Sequence, residues 1–171
     1  MQIFSPFRIA PLVITIACFT SSAQAQAVAK PEPAAPAGEI WRVVASPYTY
    51  HFSRDPNHRH VYMIGLERQD TEAYILGGSV FQNSFGQPSA YLYGGKRFDN
   101  LTRYEPLFVQ FTAGLLYGYK PPYDKKVPLN YKGFSPGAVF SVGWQFTPII
   151  STQVNFLGNS AVMFQVSADF R

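Results

Sequence analysis

The chain has 171 residues, of which 16% are aromatic and only 14% charged, with a formal net charge of +4. One domain fits that length. The weak, scattered positive charge gives no footprint for nucleic acid, and the single cysteine leaves no framework of disulfides.

The first 25 residues read as a secretory signal. Arg8 precedes an apolar run from Ile9 to Phe19, and small residues lead to Ala23-Gln24-Ala25. Such a run is too short to span a bilayer and ends in an A-x-A cleavage pattern. Cleavage is expected after Ala25, with Ala27 as a second candidate. The lone Cys18 lies inside this segment, and Thr15 stands where a lipoprotein signal carries a large aliphatic residue. An exported chain cut after Ala25 has no thiol chemistry. Residues 26–38 are rich in Ala and Pro without periodicity, which predicts a flexible extended leader.

From about residue 39 the pattern has period 2. Leu107, Val109, Phe111, Ala113, Leu115, Tyr117 and Tyr119 alternate with smaller or polar residues. Side chains alternate across a strand, so one face is apolar throughout. Residues 135–146 and 162–170 repeat the pattern. Weaker strands are expected at 43–51, 60–68, 73–83, 89–98 and 149–156. An exported, aromatic-rich chain with eight such strands predicts an all-β fold, an eight-stranded antiparallel transmembrane barrel of the outer membrane. Closure pairs every strand edge and needs no partner, so a monomer is expected.

The connections at 69–72, 99–103 and 147–148 are short, as periplasmic turns are. Those at 52–59, 84–88, 120–133 and 157–159 alternate with them and belong outside. Strands 1 and 3 then both run outward, which brings His51 and Ser84 to one extracellular rim. A serine hydroxyl needs a base to become a nucleophile, and an imidazole is suited to that near neutrality. A histidine can also deprotonate an acceptor alcohol directly while Ser and Asn bind the developing oxyanion. Either arrangement performs acyl transfer and requires no cofactor. Asn83 is a candidate to orient the imidazole or donate to the oxyanion. The plain alternatives are that residues 83–88 form a turn and that His51 joins Tyr48 and Tyr50 in an aromatic belt. His58 and His60 lie in a charged loop with irregular spacing, a weak metal pattern. Lys120, Lys125, Lys126 and Lys132 in the long third outer loop are placed to meet lipopolysaccharide phosphates or simply to solubilise the loop.

Several short stretches, in order, resemble the outer-membrane lipid A palmitoyltransferases. Tyr50-His51 matches the family's aromatic-His at the end of its first strand. Phe81-Gln82-Asn83-Ser84-Phe85 is similar to its Phe-Lys-Asp-Ser-Trp, with Asn for Asp. Phe111-Thr112-Ala113-Gly114, Pro128-Leu129 and Ser141-Val142-Gly143-Trp144 match further short motifs. The resemblance runs from about residue 47 to the C-terminus. It implies transfer of a palmitoyl-like chain from a phospholipid to lipid A, with His51 and Ser84 catalytic and Asn83 in the acid's place. It also implies a cavity that measures acyl length, with Gly94 as a candidate floor; Lys125 and Lys126 are candidates to bind the acceptor from the loop's own basic character. The family's amphipathic N-terminal helix has no counterpart here, and Arg171 follows Phe170 at the end. Two other functions remain open: a non-catalytic channel or structural barrel, and a lipid A deacylase built on the His51-Phe52-Ser53 spacing.

Overall fold

A computed structural model describes residues 38–101, 103 and 105–170. The signal-like segment and nearly all of the Ala/Pro leader, with Cys18, therefore lie outside the described residues, as does Arg171. Eight strands follow in order: β1 (Ile40–His51), β2 (Met63–Gln69), β3 (Tyr74–Gln82), β4 (Pro88–Asp99), β5 (Leu107–Tyr117), β6 (Phe134–Gln145), β7 (Ile150–Leu157) and β8 (Ala161–Phe170). Each pairs antiparallel with the next and β1 pairs with β8, which closes the barrel.

The period-2 pattern sorts the side chains. Outward positions such as Leu66, Leu76, Leu92, Phe111, Phe140 and Phe164 are exposed and apolar. Inward positions are polar or small and buried, among them Ser79, Gln110, Ser141, Gln153 and Ser167. This is the inverse of a soluble protein, and it suits a wall that faces lipid. Tyr48, Tyr50 and Tyr62 are exposed at the outer end, and Trp41, Tyr74 and Trp144 at the inner end. Both are girdle positions for amphipathic rings.

Short inner turns carry their own caps. The Asp70 carboxylate accepts from the backbone N–H of Glu72 and of Tyr74, both at 2.9 Å. The Thr147 hydroxyl accepts from the N–H of Ile149 and of Ile150. Arg42 lies across the inner lumen with 2% exposure. It donates to Asp169 at 2.6 and 2.9 Å, to Glu67 at 3.3 Å and to Gln69 at 3.2 Å. Arg97 donates to Asp99 and Gln145 and lies 3.5 Å above the Phe108 ring. A buried guanidinium persists where acceptors and charge partners replace water, as they do for Arg42 and, with the Phe108 ring, for Arg97.

Three boundaries differ from the sequence pattern by two residues or more. Strand β1 starts at Ile40, not at residue 43, and Ile40 pairs with Gln69 of β2. Strand β2 starts at Met63, not at residue 60, because the preceding segment follows the end of β3, where the Arg59 N–H donates to the Ser84 carbonyl at 2.8 Å. Strand β5 stops at Tyr117, because Gly118 takes φ +134 and turns the chain. Pairing also stops early at two seams near the outer end. β1 and β2 pair only as far as Ser46 and Met63. β6 and β7 pair only as far as Phe140 and Phe156. Pro47 lies in the first unpaired stretch and Pro136 in the second.

Candidate active site

His51 is the last residue of β1, and its face is set by a bulge. Arg42, Val44 and Ser46 point inward in strict alternation. Continued alternation would send His51 to the lipid. The register against β8 instead shifts between Ala45 and Tyr48, around Pro47. One extra residue reverses the parity, so Thr49 and His51 enter the lumen while Tyr48 and Tyr50 stay outside.

Ser84 stands just beyond β3 and is buried to 9% exposure. Its Oγ lies 2.6 Å from His51 Nε2, a hydrogen bond between residues 33 positions apart. The two residues singled out on one rim are thus in direct contact. The His58 ring lies 4.4 Å from that of His51, and its other side meets the edge of Phe85. Phe85 stacks on Tyr123 at 4.3 Å beneath the Lys126 ammonium. A cavity of about 550 Å³ opens below, with His51, Ser84, Phe81, Met63, Tyr91 and Met163 among its walls.

Asn83 does different work from that expected of it. Its carbonyl oxygen accepts from the N–H of Phe85 and of Gln87, both at 3.0 Å. Its amide nitrogen donates to the Gln87 side chain at 3.3 Å and toward the Gly118 carbonyl at 3.5 Å. With 1% exposure it is the keystone of the loop at 83–87, closed further by Gly86 at φ +79. Both amide atoms are engaged, so Asn83 neither orients His51 nor faces an oxyanion. It holds Ser84 in place through the backbone.

Gly94 is not the cavity floor. Tyr91, Tyr93 and Arg97 point inward on β4, which sends Gly94 to the exposed outer face. The Tyr91 ring instead lies against Gly137, where an added Cβ would come within 3.0 Å of it. Lys125 and Lys126 sit exposed in a 3-10 turn, Asp124–Lys126, in the third outer loop. Lys126 also pairs with Asp55 of the first outer loop at 3.0 Å and borders the cavity mouth. The Asp55 carboxyl is held down to about 2, first by the Asn57 backbone N–H and then by Lys126.

Alternation along 107–119 puts Tyr119 on the apolar face, yet it lines the cavity, a place that alternation misses. The turn at Gly118 swings it into the mouth, where it lines the cavity with Ser84. Burial pushes the phenol above its usual range and the Ser84 contact opposes that rise. The glycine directly after an alternating run was the available signal.

No family model matches the chain, and no curated protein matches it. Among solved structures it is similar to a chain described as "De novo design of transmembrane beta-barrels". The two are 15% identical with a TM-score of 0.56, over 80% of this chain and 98% of that one. At that identity the likeness establishes the fold, a closed transmembrane-type β-barrel.

Proposed function

We propose that this protein is an outer-membrane acyltransferase that moves a fatty acyl chain from a phospholipid to lipid A or a related surface lipid. The observation that carries this reading is the 2.6 Å contact between His51 Nε2 and Ser84 Oγ at the mouth of a lumenal cavity. Ser84 Oγ attacks the donor ester carbonyl while His51 Nε2 takes its proton. The tetrahedral intermediate collapses to an acyl-serine, and His51 returns the proton to the departing lysophospholipid alcohol. An acceptor hydroxyl then attacks the acyl-serine, again deprotonated by His51, and Ser84 recovers its proton. Direct attack by the acceptor, with His51 as base and Ser84 as oxyanion donor, uses the same atoms.

Two further features support a lipid substrate. The unpaired seams beside Pro47 and Pro136 lie at the outer end of the barrel, toward the rim that carries the reacting pair. Lys125 and Lys126 stand exposed above that rim, where an acceptor's phosphates would lie.

The test uses the purified barrel refolded into bilayers with an acyl-labelled phospholipid and lipid A. Label on lipid A with wild type and none with Ser84→Ala supports the reading, and no transfer by wild type sinks it. Loss of a chain from lipid A alone would point to a deacylase. One observation favours a non-catalytic barrel, since His51 has an imidazole neighbour in place of a carboxylate. Under that alternative His51→Ala leaves surface lipids unaltered.

A further inference from the structure

A Ser–His–acid triad grips the far side of its imidazole with a carboxylate. Here the nearby candidates for that task are engaged elsewhere, Asn83 with its own loop and Asp55 with Asn57 and Lys126. What the His51 ring meets instead is the ring of His58, with centroids 4.4 Å apart and planes tilted by 37°. His58 is half-buried, whereas Arg54, Arg59 and His60 around it are exposed. Its N–H donates to the Asp55 carbonyl at 3.0 Å, in a turn where the Asp55 carboxylate accepts from the Asn57 N–H at 2.9 Å. The next residue, Arg59, donates its N–H to the Ser84 carbonyl at 2.8 Å, which ties the chain on that side to the serine itself. Behind His58 stands Phe85, edge-on at 5.4 Å and 62°. Phe85 is fixed in turn by the stacked Tyr123 ring and by the Asn83 carbonyl oxygen.

We propose that His58 is a positioning residue for acyl transfer. Its ring, clamped between Phe85 and His51, holds the His51 imidazole with Nε2 on Ser84 Oγ, the task that a carboxylate has in a triad. The inference rests on the acyl-transfer reading above and adds a residue to its machinery. A histidine side chain turns about two bonds, and a packed ring beside it removes that freedom before the reaction begins. The same contact acts on charge. Two imidazoles against each other titrate as a pair, so a proton on one opposes a proton on the other and favours the neutral base. The other titratable groups on the cavity wall are Asp55 and Lys126, which pair with each other, Tyr119 at the mouth, and Tyr91, Tyr93 and Glu67 deeper in. It is His58 whose ring lies against that of His51.

Transfer of a labelled acyl chain from phospholipid to lipid A is measured against pH with refolded wild type, His58→Ala and His58→Phe, at equal folded fraction. His58→Ala is expected to lower kcat by about tenfold or more, with the donor KM within about twofold of wild type. His58→Phe keeps a ring against His51, and its kcat is expected within about threefold of wild type. The acid limb of kcat/KM in His58→Phe is expected about half a pH unit higher, because Phe carries no proton and its face favours the His51 imidazolium. Wild-type kcat in His58→Ala, no recovery in His58→Phe, or an unmoved acid limb in His58→Phe overturns the inference and leaves acyl transfer standing. If wild type transfers nothing, the acyl-transfer reading fails. The His51 ring carbon resonance, followed by NMR against pH, then decides separately whether His58 governs His51. A higher His51 midpoint in His58→Phe supports that control, and an unchanged midpoint overturns it.

Discussion

His51 and Ser84 touch through Nε2 and Oγ at 2.6 Å although β1 and β3 do not pair with each other. Strand β2 separates them, so the contact spans the mouth of the lumen instead of a ladder. A base and a nucleophile that act as one unit lose their effect together. His51→Ala and Ser84→Ala are each expected to slow acyl transfer by about 10³-fold, and the double variant by scarcely more. Steady-state rates of the three variants check this. Multiplicative losses would show that the two residues act independently.

Asn83 holds the loop at 83–87 through its side chain, so its replacement acts on structure before chemistry. Asn83→Ala removes acceptors for the Phe85 and Gln87 N–H groups and is expected to cost about 2 kcal/mol of stability. Restoring a carboxylate is not expected to help. Asn83→Asp would face the Gly118 carbonyl and the Gln87 side-chain oxygen, both of which now accept from the amide. Urea unfolding and transfer rates measured on both variants test this. A faster Asn83→Asp enzyme would show that the side chain serves His51 after all.

Much of this was legible in the residues and some was not, for physical reasons. Period 2 marks strands wherever one face meets lipid and the other a polar lumen, so the strand count and the loop parity followed directly. The shared rim of His51 and Ser84 followed from that parity. The face of His51 did not, because one bulge around Pro47 reverses every side chain beyond it. Tyr119 was hidden in the same way behind Gly118, whose φ of +134 ends the alternation. Gly94 lies ten residues past Ser84 on the descending strand, but its face decides what it lines, and that face is the outer one. The role of Asn83 depends on which backbone N–H groups curl back to it, and residue type alone does not contain that.

Glu67 closes the inner lumen with Arg42 and also accepts from the Tyr93 hydroxyl at 2.9 Å and from Gln110 at 3.3 Å. Removing it strips one partner from a buried guanidinium and leaves two neutral donors without an acceptor. Glu67→Ala is expected to destabilise the barrel by about 3 kcal/mol, and the isosteric Glu67→Gln by less. Urea titration in lipid vesicles measures both. An unchanged midpoint for Glu67→Ala would show that the charged tier is not structural.

The Asp55–Lys126 bridge joins the first and third outer loops over the cavity mouth. Asp55 is held down to about 2, below its ordinary 3.8, so it is ionised wherever the folded barrel meets moderate acid. Its contribution to loop docking is fully present above 3.8 and is lost as pH falls through about 2. Lys126→Ala is expected to raise the Asp55 value only part way, because the Asn57 backbone N–H is the larger cause. Carboxyl carbon shifts followed by NMR against pH test this. Titration of wild-type Asp55 at its ordinary value would show that the loops are not joined there.

The most direct measurement is mass spectrometry of lipid A from cells that express wild type or Ser84→Ala at equal levels of folded barrel. An additional ester-linked acyl chain is expected on lipid A from the wild-type cells and absent with Ser84→Ala. Identical lipid A from the two strains would contradict acyl transfer by the His51–Ser84 pair.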